Sequence, residues 1–159
     1  MTVDLGKRSW FTHGRSLESP LRPPWSLPES LFTEQCSRCG ECIQVCPEQL
    51  IHKADGGFPE ISFAQSGCDF CADCADVCPT PAINPELIKE PWSHQIAISD
   101  QCLTHHQVFC NSCIDFCDQQ AIVFSLTKAI ASPTVDMQYC NGCGMCISAC
   151  PVSAIGIQR

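Results

Sequence analysis

Apolar pairs recur along this chain at a long, nearly regular interval: Leu50 with Ile51, Ala82 with Ile83, Ala121 with Ile122, and Ala154 with Ile155. Each pair stands four and five residues after a cysteine, at Cys46, Cys78, Cys117 and Cys150. The steps between those cysteines are 32, 39 and 33 residues, so two similar blocks lie on each side of a longer gap. A fixed period of this length is the mark of a repeated structural unit. Blocks one and two are expected to form one unit, and blocks three and four another. The extra residues of the gap fall in 84–92, bounded by Pro85 and Pro91, and predict a linker. Inside the first unit, Asp55, Gly56 and Gly57 predict a hairpin turn, with Ile61 and Phe63 alternating on the return strand. In the second, residues 122–126 and 134–137 are the expected arms. Elsewhere single-turn helices are expected, giving a small α+β fold with sparse short helices and hairpins.

The first 25 residues differ from the rest, with four basic side chains (Lys7, Arg8, Arg15, Arg22) against Asp4 and Glu18. Pro20, Pro23, Pro24 and Pro28 interrupt any helix there, and residues 22–25 are expected to run extended. The predicted organisation is a basic, proline-rich arm at 1–30, a first unit at 31–84, a linker at 85–95 and a second unit at 96–159.

The chemistry lies in what precedes each apolar pair. Block one reads Cys36-x2-Cys39-x2-Cys42-x3-Cys46-Pro47, and block two Cys68-x2-Cys71-x2-Cys74-x3-Cys78-Pro79. Block four is Cys140-x2-Cys143-x2-Cys146-x3-Cys150-Pro151. Block three is stretched: seven residues separate Cys102 from Cys110, then Cys113 and Cys117 follow, and Asp118 replaces the proline. Three cysteines on one tight loop reach three corners of a cubane, and the fourth, before proline, ligates the neighbouring cluster. The residue after each second cysteine, Gly40, Ala72, Asn111 or Gly144, is in three cases Gly or Asn, suited to the positive φ of a wrapping loop. Structural zinc instead completes one tetrahedron from two distant pairs, which this crowding disfavours.

The crossover rule gives explicit sets. Set one is Cys36, Cys39, Cys42 and Cys78, and set two is Cys68, Cys71, Cys74 and Cys46. Set three is Cys102, Cys110, Cys113 and Cys150, and set four is Cys140, Cys143, Cys146 and Cys117. A nested arrangement, pairing block one with four and two with three, is the alternative that the spacing disfavours. Four [4Fe-4S] clusters are expected, or three if the Cys102 site is not filled. His105 and His106, in the stretched loop, are either substitute ligands or exposed polar residues.

Composition narrows the function. The chain has 159 residues, 16 of them cysteine, with 9 basic and 17 acidic side chains for a net charge of -8. That balance disfavours nucleic acid as a partner. Glu41, Glu48, Asp69, Asp73, Asp76, Asp115 and Asp118 lie in or beside the blocks, able to steer a basic partner or simply to solvate the surface. No run approaches the length of a membrane span, and no apolar core follows Lys7 and Arg8 as in a signal peptide. A reducing cytoplasm is therefore expected, which disfavours disulfides. No phosphate loop or dinucleotide fingerprint is present, and no cysteine is spare as a nucleophile. An enzyme is not expected.

Residues 30–159 resemble tandem bacterial-type two-[4Fe-4S] ferredoxin units. The narrower resemblance is to the NapF-type ferredoxins, accessory iron–sulfur proteins of periplasmic nitrate reductase systems. It rests on Lys7-Arg8, on Arg22-Pro23-Pro24-Trp25 before block one, on the stretched third block, and on the ending from Cys140-Asn141-Gly142-Cys143-Gly144 to Ile155. The resemblance implies a cytoplasmic protein that binds the precursor of the nitrate reductase catalytic subunit and assists its maturation, by cluster assembly or reduction, before export. The competing expectations are an electron-transfer subunit serving a cytoplasmic oxidoreductase, and a donor of iron–sulfur units. Lys7-Arg8-Ser9-Trp10-Phe11 looks like the start of a twin-arginine export signal without its apolar segment, a candidate contact for the export or maturation apparatus.

Overall fold

The computed structural model describes residues 20–125 and 132–158. Five short helices and six short strands alternate along them. In order they are α1 (Glu29–Gln35), α2 (Glu41–Val45), β1 (Ile51–Lys53), β2 (Pro59–Ile61), α3 (Asp73–Asp76), β3 (Gln95–Ile98), α4 (Ser112–Asp115), β4 (Ile122–Ser125), β5 (Ser132–Val135), α5 (Met145–Ser148) and β6 (Ile155–Gln158). Helices this short do not persist by local hydrogen bonding alone, so tertiary contacts must hold them.

The strands pair as three antiparallel ribbons. β1 meets β2 with Ile51 opposite Ile61, and the turn between them places Gly56 and Gly57 at φ 71° and 82°, as the Asp55-Gly56-Gly57 signal predicts. β4 meets β5 with Ile122 opposite Val135. The return arm is therefore 132–135, two residues earlier than the sequence suggests, while Leu126 lies outside the described residues. Pro133, opposite Phe124, lacks an N–H but sits in a two-stranded ribbon where no further strand needs that donor. Beyond Val135 the Asp136 carboxylate accepts from the Gln138 N–H at 3.0 Å, turning the chain away before Met137 can pair.

The two units close in the same way. In the second, β3 pairs with β6, Ile98 lies opposite Ile155, and the Ser99 N–H donates to Ala154 O at 2.8 Å. In the first, Ser26 bridges Ile83 and the Leu27 N–H donates to Ala82 O at 2.9 Å. Each unit thus pins the segment before its first block to the apolar pair after its second. All four pairs are buried, none more than 6 % exposed.

This closure alters the reading of the arm and the linker. From Pro20 on, the arm is built into the first unit. Leu21 is buried and its carbonyl accepts from the Ile61 N–H at 2.8 Å. Arg22 grips Glu29 through Nε and Nη2 at 2.8 and 2.6 Å, donates to Pro59 O, and lies over the rings of Phe32 and Phe58. Residues 22–25 are not extended throughout. Pro24, whose fixed φ suits the first central position of a turn, and Trp25, with φ 59°, form a turn. The linker runs back along this turn: Trp25 N–H to Pro91 O, Asn84 N–H to Trp25 O, and Trp92 Nε1–H to Arg22 O. Gln95, placed in the linker by sequence, already belongs to β3.

Two clusters of buried residues form the core, one per unit. Ile147 and Ile157 pack against both, which joins the units. Phe32, on α1, is fully enclosed at 0 % exposure and anchors the first. Phe32→Ala is expected to cost about 3–5 kcal/mol, the usual range for emptying a phenylalanine site. It should lower the urea midpoint of the tryptophan fluorescence transition, while Leu31→Ala, at a position 48 % exposed on the same helix, leaves it in place.

Candidate metal centres

Each block wraps its cysteines through a recurring backbone pattern. The residue before the second cysteine has positive φ in blocks one, two and four: Arg38 at 60°, Phe70 at 59° and Gly142 at 75°. The residue after it does so too, with Gly40 at 83°, Ala72 at 67° and Gly144 at 81°. Ala72 adopts this conformation at a cost of about 1–2 kcal/mol for a residue with a Cβ. Asn111 does not adopt it, lying at φ -129°, contrary to the sequence expectation. Block three enters its loop differently, through the left-handed Gln107 at 64°, which ends the 3-10 turn of Leu103–His106.

Three hollows of similar size open inside these loops. One is lined by Cys36, Cys39, Cys42 and Cys78. One is lined by Cys46, Cys68, Cys71 and Cys74. The third is lined by Cys117, Cys140, Cys143 and Cys146. The remaining cysteines meet around Cys113, whose thiol is pushed up by burial and then by Cys102, Cys110 and Cys150. The groupings are those of the tandem crossover.

Cys102 reaches its companions despite the long loop. From Leu27 to Cys39 is twelve residues, and from Ser99 to Cys110 eleven, so the path from the closing strand to the second cysteine hardly changes. In the first unit α1 occupies that path. In the second, a single 3-10 turn at Leu103–His106 does, with Cys102 at its start. Thr104 is buried and its Oγ1 lies 3.2 Å from Cys102 Sγ, whereas His105 and His106 are exposed.

Burial first, and then neighbouring thiolates, push Cys42 up to about 11 and Cys68, Cys74 and Cys146 up to about 12, because like charges in a shared site oppose ionisation. Backbone N–H groups point at several sulfurs: Phe70 to Cys68 Sγ at 3.4 Å, Ala121 to Cys117 at 3.3 Å and Ala154 to Cys150 at 3.2 Å. The most buried sulfurs, Cys42, Cys68, Cys74 and Cys146, therefore ionise more readily against a cationic centre than alone. Among the described residues no three His, Cys, Asp or Glu side chains are placed to hold one metal ion. Four sulfurs ringing a hollow suit the corners of a polynuclear cluster better than the single point of a zinc tetrahedron. The residues fit a [4Fe-4S] group, which needs four thiolates and donors to sulfur.

Sequence reasoning left two contributions unseen. Asp69 and Asn141 hold corresponding loop turns, their side chains accepting from the N–H of Cys71 at 3.2 Å and of Cys143 at 3.1 Å. Their shared place, one residue after the first cysteine, was a legible signal. His94, buried beside block four with Nε2 2.9 Å from Gly142 O, carried none.

Comparison with known proteins agrees with this geometry. The 4Fe-4S dicluster domain family matches residues 35–82 and 108–154, the second match beginning after Cys102. The chain is 48 % identical to the ferredoxin-type protein NapF of Haemophilus influenzae over 136 residues, covering 85 % of this chain and 77 % of the relative. It is 39 % identical to the ferredoxin-type protein NapF of Escherichia coli strain K12 over 157 residues, 98 % of this chain and 95 % of that one. The methylamine utilization ferredoxin-type protein MauM of Methylophilus methylotrophus is 32 % identical over 158 residues, 88 % of this chain and 70 % of the relative.

If Cys102 is a full ligand, Cys102→Ser and Cys110→Ser should each lose about four irons per chain, one cluster's worth. His105→Ala and His106→Ala should lose none. Iron counting on anaerobically purified variants checks this, and a Cys102→Ser protein with undiminished iron would remove that residue from the set.

Proposed function

Because the chain belongs to the NapF family of ferredoxin-type proteins, we propose that it is a cytoplasmic accessory protein with four [4Fe-4S] clusters. It binds the precursor of the periplasmic nitrate reductase catalytic subunit and assists that subunit's maturation before export, through assembly or reduction of its cluster. The observation that carries the reading is likeness to NapF along almost the whole chain, the segment ahead of block one included. The site supports it: sixteen cysteines divide into four sets of four, leaving no thiol for covalent catalysis. The cysteines of the four sets would hold iron, and the group supplies one-electron chemistry when bound. The chain's own part is to exclude water from the buried sulfurs Cys42, Cys74, Cys113 and Cys146 and to aim N–H groups at others.

Plain electron transfer to a cytoplasmic oxidoreductase is the second reading, favoured by the close approach of the two units described below. The readings separate by experiment. Anaerobic affinity purification from cytoplasm should recover the unexported precursor, and finished nitrate reductase should turn over without this protein. A requirement at every turnover, with no precursor recovered, would instead establish the electron carrier.

The twin-arginine-like segment at Lys7 and Arg8 lies outside the described residues. We assign it to partner contact, and the packing of residues from Pro20 onward fixes where to cut. Deleting residues 1–19 should reduce precursor recovery severalfold while iron per chain is unchanged. Undiminished recovery would show that the segment plays no part.

A further inference from the structure

We propose that the four cysteine sets form one line in the order one, two, four, three, joined between the units by a glycine-lined junction at Gly67, Cys68, Cys143 and Gly144. The inference rests on the four-cluster reading and adds to it a route through the whole molecule.

Three contacts set the order. Within the first unit α2, which carries Cys42 of set one, packs on α3, which carries Cys74 of set two. Within the second, α4 with Cys113 of set three packs on α5 with Cys146 of set four. Between units, the Cys68 N–H donates to Cys143 O at 2.7 Å. Both residues are set members, so one hydrogen bond links two sulfurs through their own backbones: Sγ, Cβ, Cα and N of Cys68, then O, C, Cα, Cβ and Sγ of Cys143.

The approach is possible only because side chains are missing there. A Cβ on Gly67 would lie 2.5 Å from Met145 N and 2.8 Å from Met145 Cα. A Cβ on Gly144 would lie 2.4 Å from the Phe63 ring. Phe63 in turn packs edge-on to Trp92, at 5.7 Å between centroids, and Ile147 beside Cys146 packs against both cores. The junction is thus a packed, close contact between the inner sets, and not a loose tether through residues 84–92. With clusters held by the four sets, the junction would bring the inner two closest together, and the chemistry they would supply is one-electron transfer between neighbours, the donor oxidised by one as the acceptor is reduced by one. A low-potential one-electron donor supplies the first electron, dithionite in the test.

The test uses the full-length holoprotein, reduced with dithionite. Iron per chain, electron paramagnetic resonance of the reduced clusters, and hydrogen exchange at the Cys68 amide are measured together. Wild type should hold about sixteen irons, four per cluster, with a protected Cys68 amide. Gly67→Ala places a methyl against backbone that cannot yield. It should keep its iron, speed exchange at Cys68 at least about tenfold, and lose part of the spin–spin interaction, leaving two independent pairs. Phe63→Ala, which adds no bulk and lies outside the cysteine blocks, should loosen the same contact and serves if Gly67→Ala loses iron. An exposed Cys68 amide with a spectrum superimposable on wild type would overturn the line. So would an amide that stays protected in both variants. Iron near eight per chain in wild type would overturn the four-cluster reading itself, and the line with it.

Discussion

Like-charged sulfur gathered at partly buried hollows is the constraint from which the rest of this structure follows. Burial, with the charges of neighbouring sulfurs added, pushes the most enclosed thiols to about 11 or 12. Such a site is unfavourable as four anions and wasteful as four thiols. A cationic iron–sulfur group reverses the sign, since it needs the thiolates and disperses their charge. The apolar core is correspondingly small. It consists mainly of one Leu–Ile or Ala–Ile pair behind each block and a few aromatic anchors, chiefly Phe32 and Phe63. A core of this size rarely supports a chain unaided, and a metal centre is a usual supplement.

The two units solve one problem twice. Each ties the segment before its first block to the apolar pair ending its second, by Leu27 to Ala82 and by Ser99 to Ala154. The irregular third block is irregular only in where its first cysteine sits along a path of nearly constant length. A helix fills that path in the first unit and a single 3-10 turn in the second. The pinning of residues 20–28 by Arg22, Trp25 and Trp92 follows from the same closure, with the segment between the units laid alongside to complete it.

The parts legible in the sequence were local. Cysteine spacing and the apolar pairs act within about twenty residues, so the blocks and the first hairpin could be read directly. Long-range closure could not. Nothing near Gln95 announces that its partner is Gln158, and nothing at Ser26 points to Ile83. Gly67 was equally silent, because its need for a bare Cα comes from Met145, far along the chain. Residue type misled twice within the loops: Ala72 takes a left-handed backbone that favours glycine, and Asn111, suited to it, does not. In both cases the ligand loop's geometry outweighed local preference.

Such a molecule should be inseparable from its iron. The most direct check strips the clusters from anaerobically purified protein with oxidant and chelator and follows amide dispersion by nuclear magnetic resonance. Loss of colour and loss of dispersion should run together, leaving an unfolded chain. A colourless protein that kept its dispersed spectrum would contradict the account, for its core would then be holding without the metal.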